Sequence, residues 1–153
     1  MPLIPPPDPA ILSRRVELLR RLRAAVPGGV IADEASRRAY DTDALAAYRQ
    51  MPMLVTLPRD TAEVASILRI CHQMGVKVVP RGAGTGLSGG ALPLSDGVLL
   101  VLTRLSRILE IDYDNRVVVT QPGVTNLAIS QAVADRGFYY ADRKSTRLNS
   151  SHT

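Results

Sequence analysis

The chain has 153 residues, 46% of them hydrophobic and 22% charged, with 11 Gly, 11 Pro and a formal net charge of +5. That composition excludes a disordered, collagenous or disulfide-framed chain, and predicts a soluble domain that buries about two thirds of its unfolded surface. No apolar run reaches the ~18 residues of a membrane span, and the first residues lack the charged and apolar regions of a secretory signal. A cytoplasmic protein is the expectation.

The single cysteine, Cys71, lies among Val64, Ile67, Leu68 and Met74 at helical spacing, which predicts a buried structural thiol rather than a nucleophile. Of the 19 basic residues 17 are Arg, and they are scattered. The densest group, Arg14, Arg15, Arg20, Arg21 and Arg23, shares a helical stretch with Ile11, Leu12, Val16, Leu19 and Leu22. It reads as a solvated helix face, and without interleaved aromatics it gives no nucleic-acid surface.

Along the chain, Pro2 to Pro9 is expected to be extended, with Asp8 as N-cap and Pro9 as first residue of a helix reaching about Val26. Pro27, Gly28 and Gly29 stop it. Residues 30–50 read as short irregular elements with Asp33, Asp41 and Asp43 as turn or cap residues. Residues 53–57 form a buried strand ended by Pro58. Asp60 and Glu63 then resemble a capping box opening a helix that ends at Gly75. Residues 76–79 are the next strand, ended by Pro80, so strand, helix and strand make a βαβ unit with parallel strands. Three more strands follow at 97–103, 108–112 and 116–121, the last two joined by an Asp112-Tyr113-Asp114-Asn115 turn as an antiparallel hairpin. A helix over 126–136 ends at Gly137. His72, late in the helix after Asp60, reads as a partly exposed structural histidine. The class is α+β.

Between the second and third of these strands stands Pro80-Arg81-Gly82-Ala83-Gly84-Thr85-Gly86-Leu87-Ser88-Gly89-Gly90. Its glycines let the backbone approach a ligand closely, and successive N–H groups in such a loop form an anion-binding concavity. The plain alternative is a glycine-rich surface loop without a ligand. Gly84 to Gly89 satisfies G-x-G-x-x-G, but Gly90-Ala91-Leu92-Pro93 opens no helix, and the acidic ribose partner expected about twenty residues on is absent. The Walker spacing fails too, because Gly90-Ala91 stands where Lys-Ser/Thr is needed. A nicotinamide or ATP site is therefore not expected.

In context, Val78 to Gly90 resembles the pyrophosphate loop of FAD-linked oxidases with the vanillyl-alcohol-oxidase (PCMH-type) fold. Gln121-Pro122-Gly123-Val124-Thr125-Asn126-Leu127 resembles their second FAD-contacting segment. Residues 53–141 are similar to the FAD-linked subunits of bacterial glycolate oxidases and to D-lactate dehydrogenases. The resemblance implies an N-terminal helical segment (1–50) and a truncated first half of a PCMH-type FAD-binding domain (51–141). Residues 142–153 then read as a non-native tail. They carry one apolar side chain, Leu148, and match an in-frame translation of a sequencing adapter.

The resemblance also implies function. The parent would oxidise a small 2-hydroxy acid, glycolate or D-lactate, to the 2-keto acid. The alternatives are a non-catalytic nucleotide- or anion-binding fragment, or a PCMH-type oxidase of another substrate such as D-2-hydroxyglutarate. FAD would be non-covalent, since Thr85 or a neighbour stands where some relatives carry a tethering His. The cofactor-binding residues would be Pro80, Arg81, Gly82, Ala83, Gly84, Thr85, Gly86, Ser88, Gly89, Gly90, Pro122 and Gly123. The amides of Arg81 to Gly86 and Ser88 to Gly90 would face the pyrophosphate, with Thr85 and Ser88 hydroxyls donating to it and Pro122 and Gly123 on the flavin or ribityl side. Arg81 would pair either with phosphate or in a salt bridge within the domain. The pattern offers no catalytic residue and no metal ligand, because the family's Pro-Asp-Pro-Ser-Ser-type segment is interrupted after Ala141. Partners would be the 2-hydroxy acid and iron–sulfur or other electron-transfer subunits, through which the protein would sit peripherally at the inner membrane.

Overall fold

The structure, a computed structural model, describes residues 6–45 and 47–141. They fall into two compact units, one ending at Leu105 and one beginning at Ser106. In the first, Asp8 caps α1 (Pro9–Leu12) by accepting the Ala10 N–H at 2.8 Å, with Pro9 at the first helical position. The helix expected to reach Val26 breaks here. Ser13 Oγ and Arg14 Nε both donate to the Ala10 carbonyl, at 2.9 and 3.1 Å, and the Arg14 N–H turns instead to the Ile11 carbonyl at 3.0 Å. Helix α2 (Arg15–Ala25) then runs to a stop at Gly28, whose φ is +70°.

The apolar stripe also differs from the expected one. Ile11, Leu18, Leu22 and Val26 enter the core, whereas Val16 is 78% exposed. Val16 lies two residues before Leu18, about 200° around the helix, so both cannot face one core. Nor is Arg15 a solvated residue: it donates from Nη2 to the Ala32 carbonyl at 2.7 Å. Arg20 does stand in solvent, paired with Glu17 at 2.7 Å.

Four strands make the first sheet, in the order β1 (Val30–Ile31), β2 (Leu54–Thr56), β4 (Gly97–Val101), β3 (Lys77–Arg81). Strand β1, which the irregular reading of residues 30–50 missed, is antiparallel to β2. In the same region Asp33 caps α3 (Glu34–Arg37) by accepting the Ser36 N–H at 2.8 Å. Strands β2 and β3 are parallel as the βαβ pattern requires, yet β4 lies between them and pairs with both. Every residue of β4 is buried, and such a strand gains most from the centre of a sheet. Pro80 does not end β3. It pairs opposite Leu100 on an edge strand, where a missing N–H costs no ladder bond.

Helix α4 (Thr61–Gln73) crosses between β2 and β3. Asp60 accepts the Glu63 N–H at 2.8 Å, while the Glu63 carboxylate reaches one residue further than in a capping box, to the Arg59 N–H at 2.7 Å. Ile67 and Cys71 face inward, and burial pushes the Cys71 thiol up to about 11, which keeps it protonated and inert. His72, in the last turn, is exposed. The main core joins Ile11, Leu18, Leu22 and Val26 to Leu54, Ile67, Met74 and Val98. The N-terminal helices thus share the core of the βαβ unit.

In the second unit β5 (Ile108–Asp112) and β6 (Val117–Thr120) form the expected antiparallel hairpin, with an irregular register near Ile108. Asp112 holds the turn by accepting the Asn115 N–H and Nδ2 at 2.9 and 2.7 Å, and Arg116 takes φ +55°. Thr125 caps α5 (Asn126–Val133), accepting the Ala128 N–H at 3.2 Å; a 3-10 turn, Ala134–Arg136, then ends at Gly137. The tail reading of residues 142–153 lies outside the described residues.

Candidate functional site

The glycine loop leaves the end of β3 and returns through Ala91. Gly84 and Gly89 hold φ values of +74° and +73°, left-handed conformations that favour glycine, whereas Gly82, Gly86 and Gly90 do not use that region. A Cβ on any of those last three would meet no protein atom within 4 Å, so their faces are open. Ala83, Thr85, Gly86, Ser88 and Gly90 are exposed, and Leu87 is 72% exposed.

Among the described residues, none of the N–H groups of residues 82–90 donates to a protein acceptor, and neither does the hydroxyl of Thr85 or Ser88. A run of N–H groups without protein acceptors, on a backbone that turns at Gly84 and Gly89, is the kind of donor set that a pyrophosphate's oxygens require. The site therefore fits FAD at its phosphates.

Arg81 binds within the domain, through backbone carbonyls rather than through a salt bridge. It is buried and forms no ion pair among the described residues. Its Nε and Nη2 donate to the Ala91 carbonyl at 3.2 and 2.8 Å, and Nη2 and Nη1 donate to the carbonyls of Thr42 and Tyr40 at 2.7 and 3.4 Å. One guanidinium thus closes the loop's neck, from its first residue to the residue after its last. Burial pulls this group below its ordinary pKa, and the negative charge of Asp43 opposes that shift. The Arg81 stem also lies 3.6 Å from the position of a Cβ on Gly84.

The same bonds bring in a segment that sequence reasoning passed over. The Ala44 N–H donates to the Gly84 carbonyl at 2.9 Å, and Leu45 backs Gly89, 3.5 Å from its Cβ position. Asp43 turns the chain there by accepting the Leu45 N–H at 2.9 Å. Its role as a turn residue was legible, but its place beneath the loop was not, because a separation of some forty residues leaves no local pattern.

Pro122 and Gly123 belong to the second unit. They form a turn after β6, framed by the Gln121 N–H on the Arg107 carbonyl at 2.9 Å and the Val124 N–H on the Gln121 carbonyl at 3.2 Å. The loop residues are therefore gathered in one unit and this pair stands in the other. No group of three or more His, Cys, Asp or Glu residues suited to a metal occurs among the described residues, nor any helix long and apolar enough to cross a membrane.

Comparison with known proteins places this geometry. A family model described as FAD binding domain matches residues 52–147. The glycolate oxidase subunit GlcD of Escherichia coli (strain K12) is 50% identical over 135 residues, 88% of this chain and 27% of that protein. The mitochondrial D-2-hydroxyglutarate dehydrogenase of Bos taurus is 37% identical over 120 residues, 78% of this chain and 22% of that protein. The crystal structure of p-cresol methylhydroxylase superposes with a TM-score of 0.70 at 15% identity, covering 88% of this chain and 27% of that one, which shows a shared fold. The chain thus spans about a quarter of the length of these relatives. Its α+β fold is that of the PCMH-type flavoproteins, and the chain belongs to the FAD binding domain family.

Proposed function

We propose that this chain is the FAD-binding start of an enzyme that oxidises a small 2-hydroxy acid, glycolate or D-lactate, to the 2-keto acid. The observation that carries the reading is the loop of residues 82–90, whose N–H groups have no protein acceptor among the described residues, in a chain 50% identical over 135 residues to a glycolate oxidase subunit. The amides of residues 81–86 and 88–90 hold the pyrophosphate, and the hydroxyls of Thr85 and Ser88 add donors. Pro122 and Gly123 contact the flavin or ribityl part. Residues 1–50 and 51–141 would then be a supporting helical segment and the first half of the FAD domain. Bound FAD supplies the two-electron acceptor; the chain's own residues bind and orient it.

With Thr85 or a neighbour standing where some relatives carry a tethering His, the FAD would be held without a covalent bond. The hydroxy acid gives up two electrons and two protons as its C–OH becomes C=O, and iron–sulfur or other electron-transfer subunits take the electrons onward. The similarity to D-2-hydroxyglutarate dehydrogenase favours a second reading, oxidation of that longer 2-hydroxy acid. Purifying the full-length protein and measuring its flavin content and its reduction of a dye acceptor with each acid tests both. Flavin with glycolate or D-lactate turnover supports the first reading, and turnover of D-2-hydroxyglutarate alone moves the assignment to the second. Flavin without turnover of any of them leaves a non-catalytic binding module, and absence of flavin overturns all three.

A further inference from the structure

Arg81 opens the glycine loop, yet its guanidinium is spent on carbonyl oxygens. A phosphate oxygen is a stronger acceptor for a guanidinium than a neutral carbonyl. Something must hold Arg81 at the neck when an anion enters the loop. The structure offers one group. Asp43 is only 6% exposed, and its Oδ1 accepts the Leu45 N–H at 2.9 Å. Its Oδ2 is buried and has no hydrogen-bond partner among the described residues.

A buried carboxylate oxygen without a donor is costly, so its charge needs a reason. Its negative charge opposes the downward shift that burial imposes on the Arg81 guanidinium. Asp41, two residues earlier, is instead paired with Arg49 at 3.6 Å. Asp43 and Arg81 are also joined through the backbone. Arg81 binds the carbonyl of Thr42, the residue before Asp43, and the N–H of Ala44, the residue after it, binds the Gly84 carbonyl.

We propose that Asp43 is a positioning residue for the loop: its buried carboxylate holds the Arg81 guanidinium on the Thr42 and Ala91 carbonyls, leaving a bound pyrophosphate to the loop's N–H groups. This rests on the reading of the loop as the FAD phosphate site. The anion then meets oriented dipoles rather than a free cation, and its binding depends little on salt.

The test uses the full-length protein and compares D43N, D43E, R81Q and D43N/R81Q. D43N keeps an oxygen for the Leu45 N–H but removes the charge. FAD affinity is followed by flavin fluorescence, in about 0.05 M and about 0.5 M NaCl, where screening differs several-fold in range. The wild-type dissociation constant should rise less than about threefold across that range, and that of D43N about tenfold or more, as Arg81 moves onto the phosphates. D43E and D43N/R81Q should respond as the wild type does. A D43N response equal to wild type, or one that persists in the double variant, overturns the proposal.

Hydrogen exchange of the Ala44 amide gives a readout that needs no ligand. It should speed up about tenfold in both D43N and R81Q, with no further gain in the double variant. If the wild type retains no FAD, the FAD reading falls and the exchange result alone decides the role of Asp43. Unchanged exchange in a D43N protein with native circular dichroism would sink it.

Discussion

Gly84 holds φ at +74° against the Arg81 stem, whereas Gly86 sits in ordinary backbone with open space where a Cβ would stand. Gly84→Ala should therefore cost about 1–3 kcal/mol of strain, and Gly86→Ala should stay within about 0.5 kcal/mol of wild type. Both place a methyl in the loop that we assign to pyrophosphate, so both should lower the flavin retained after gel filtration. Thermal unfolding beside flavin content separates the two effects, and full flavin in both variants would remove the loop from the binding site. Arg81→Met keeps the stem but strips the carbonyls of Thr42 and Ala91 of a charged donor. A loss of about 2–3 kcal/mol in urea unfolding is expected. The glycines were legible residue by residue, but which of them need left-handed backbone was not, because that depends on the path imposed by the neck.

Between elements, Asp96 ties three together. It lies in the turn before β4 and accepts from Lys77 Nζ of β3 at 2.9 Å and from the N–H of Asp8, the cap of α1, at 3.1 Å. Burial alone would raise its pKa, but these two bonds, the charge of Lys77 and a bond from its own backbone N–H together hold the carboxyl below its ordinary 3.8. A carboxyl lowered on folding stabilises the fold above its unfolded pKa, and the gain is lost as pH falls through the lower folded value. Urea midpoints from about pH 6 down to about pH 3 should fall for the wild type and fall less steeply for Asp96→Asn. Equal slopes would show that Asp96 contributes nothing to acid sensitivity. Asp60→Ala, which removes the α4 cap, should cost about 1 kcal/mol at neutral pH in the same assay.

At the scale of the first unit, the N-terminal helices are part of the core that carries the loop. Leu22, fully buried, packs with Leu54, Ile67 and Val98. Leu22→Ala should destabilise the first unit by about 2–5 kcal/mol, as a core cavity does. Removing residues 1–26 should abolish its cooperative unfolding. If urea titration of the shortened chain still gave a single sharp transition with native circular dichroism, the helices would be an accessory layer after all. The second unit leaves Leu109, Val117, Val119 and Leu127 exposed on its hairpin and helix.

The sequence by itself determined the local features. The Asp8 and Asp60 caps, the stops at Gly28, Gly75 and Gly137 and the hairpin turn at Asp112 rest on bonds or dihedrals within a few residues. The glycine loop was legible for the same reason, since its composition alone lets a backbone present donors. Tertiary structure decided what depends on distant partners. It placed β4 between β2 and β3, let Pro80 stand in an edge strand, turned Leu18 rather than Val16 inward and drew Arg81 onto the carbonyls of Tyr40, Thr42 and Ala91. Burial and pairing across tens of residues select among conformations that local propensity leaves nearly equal, and only the folded chain brings those partners together.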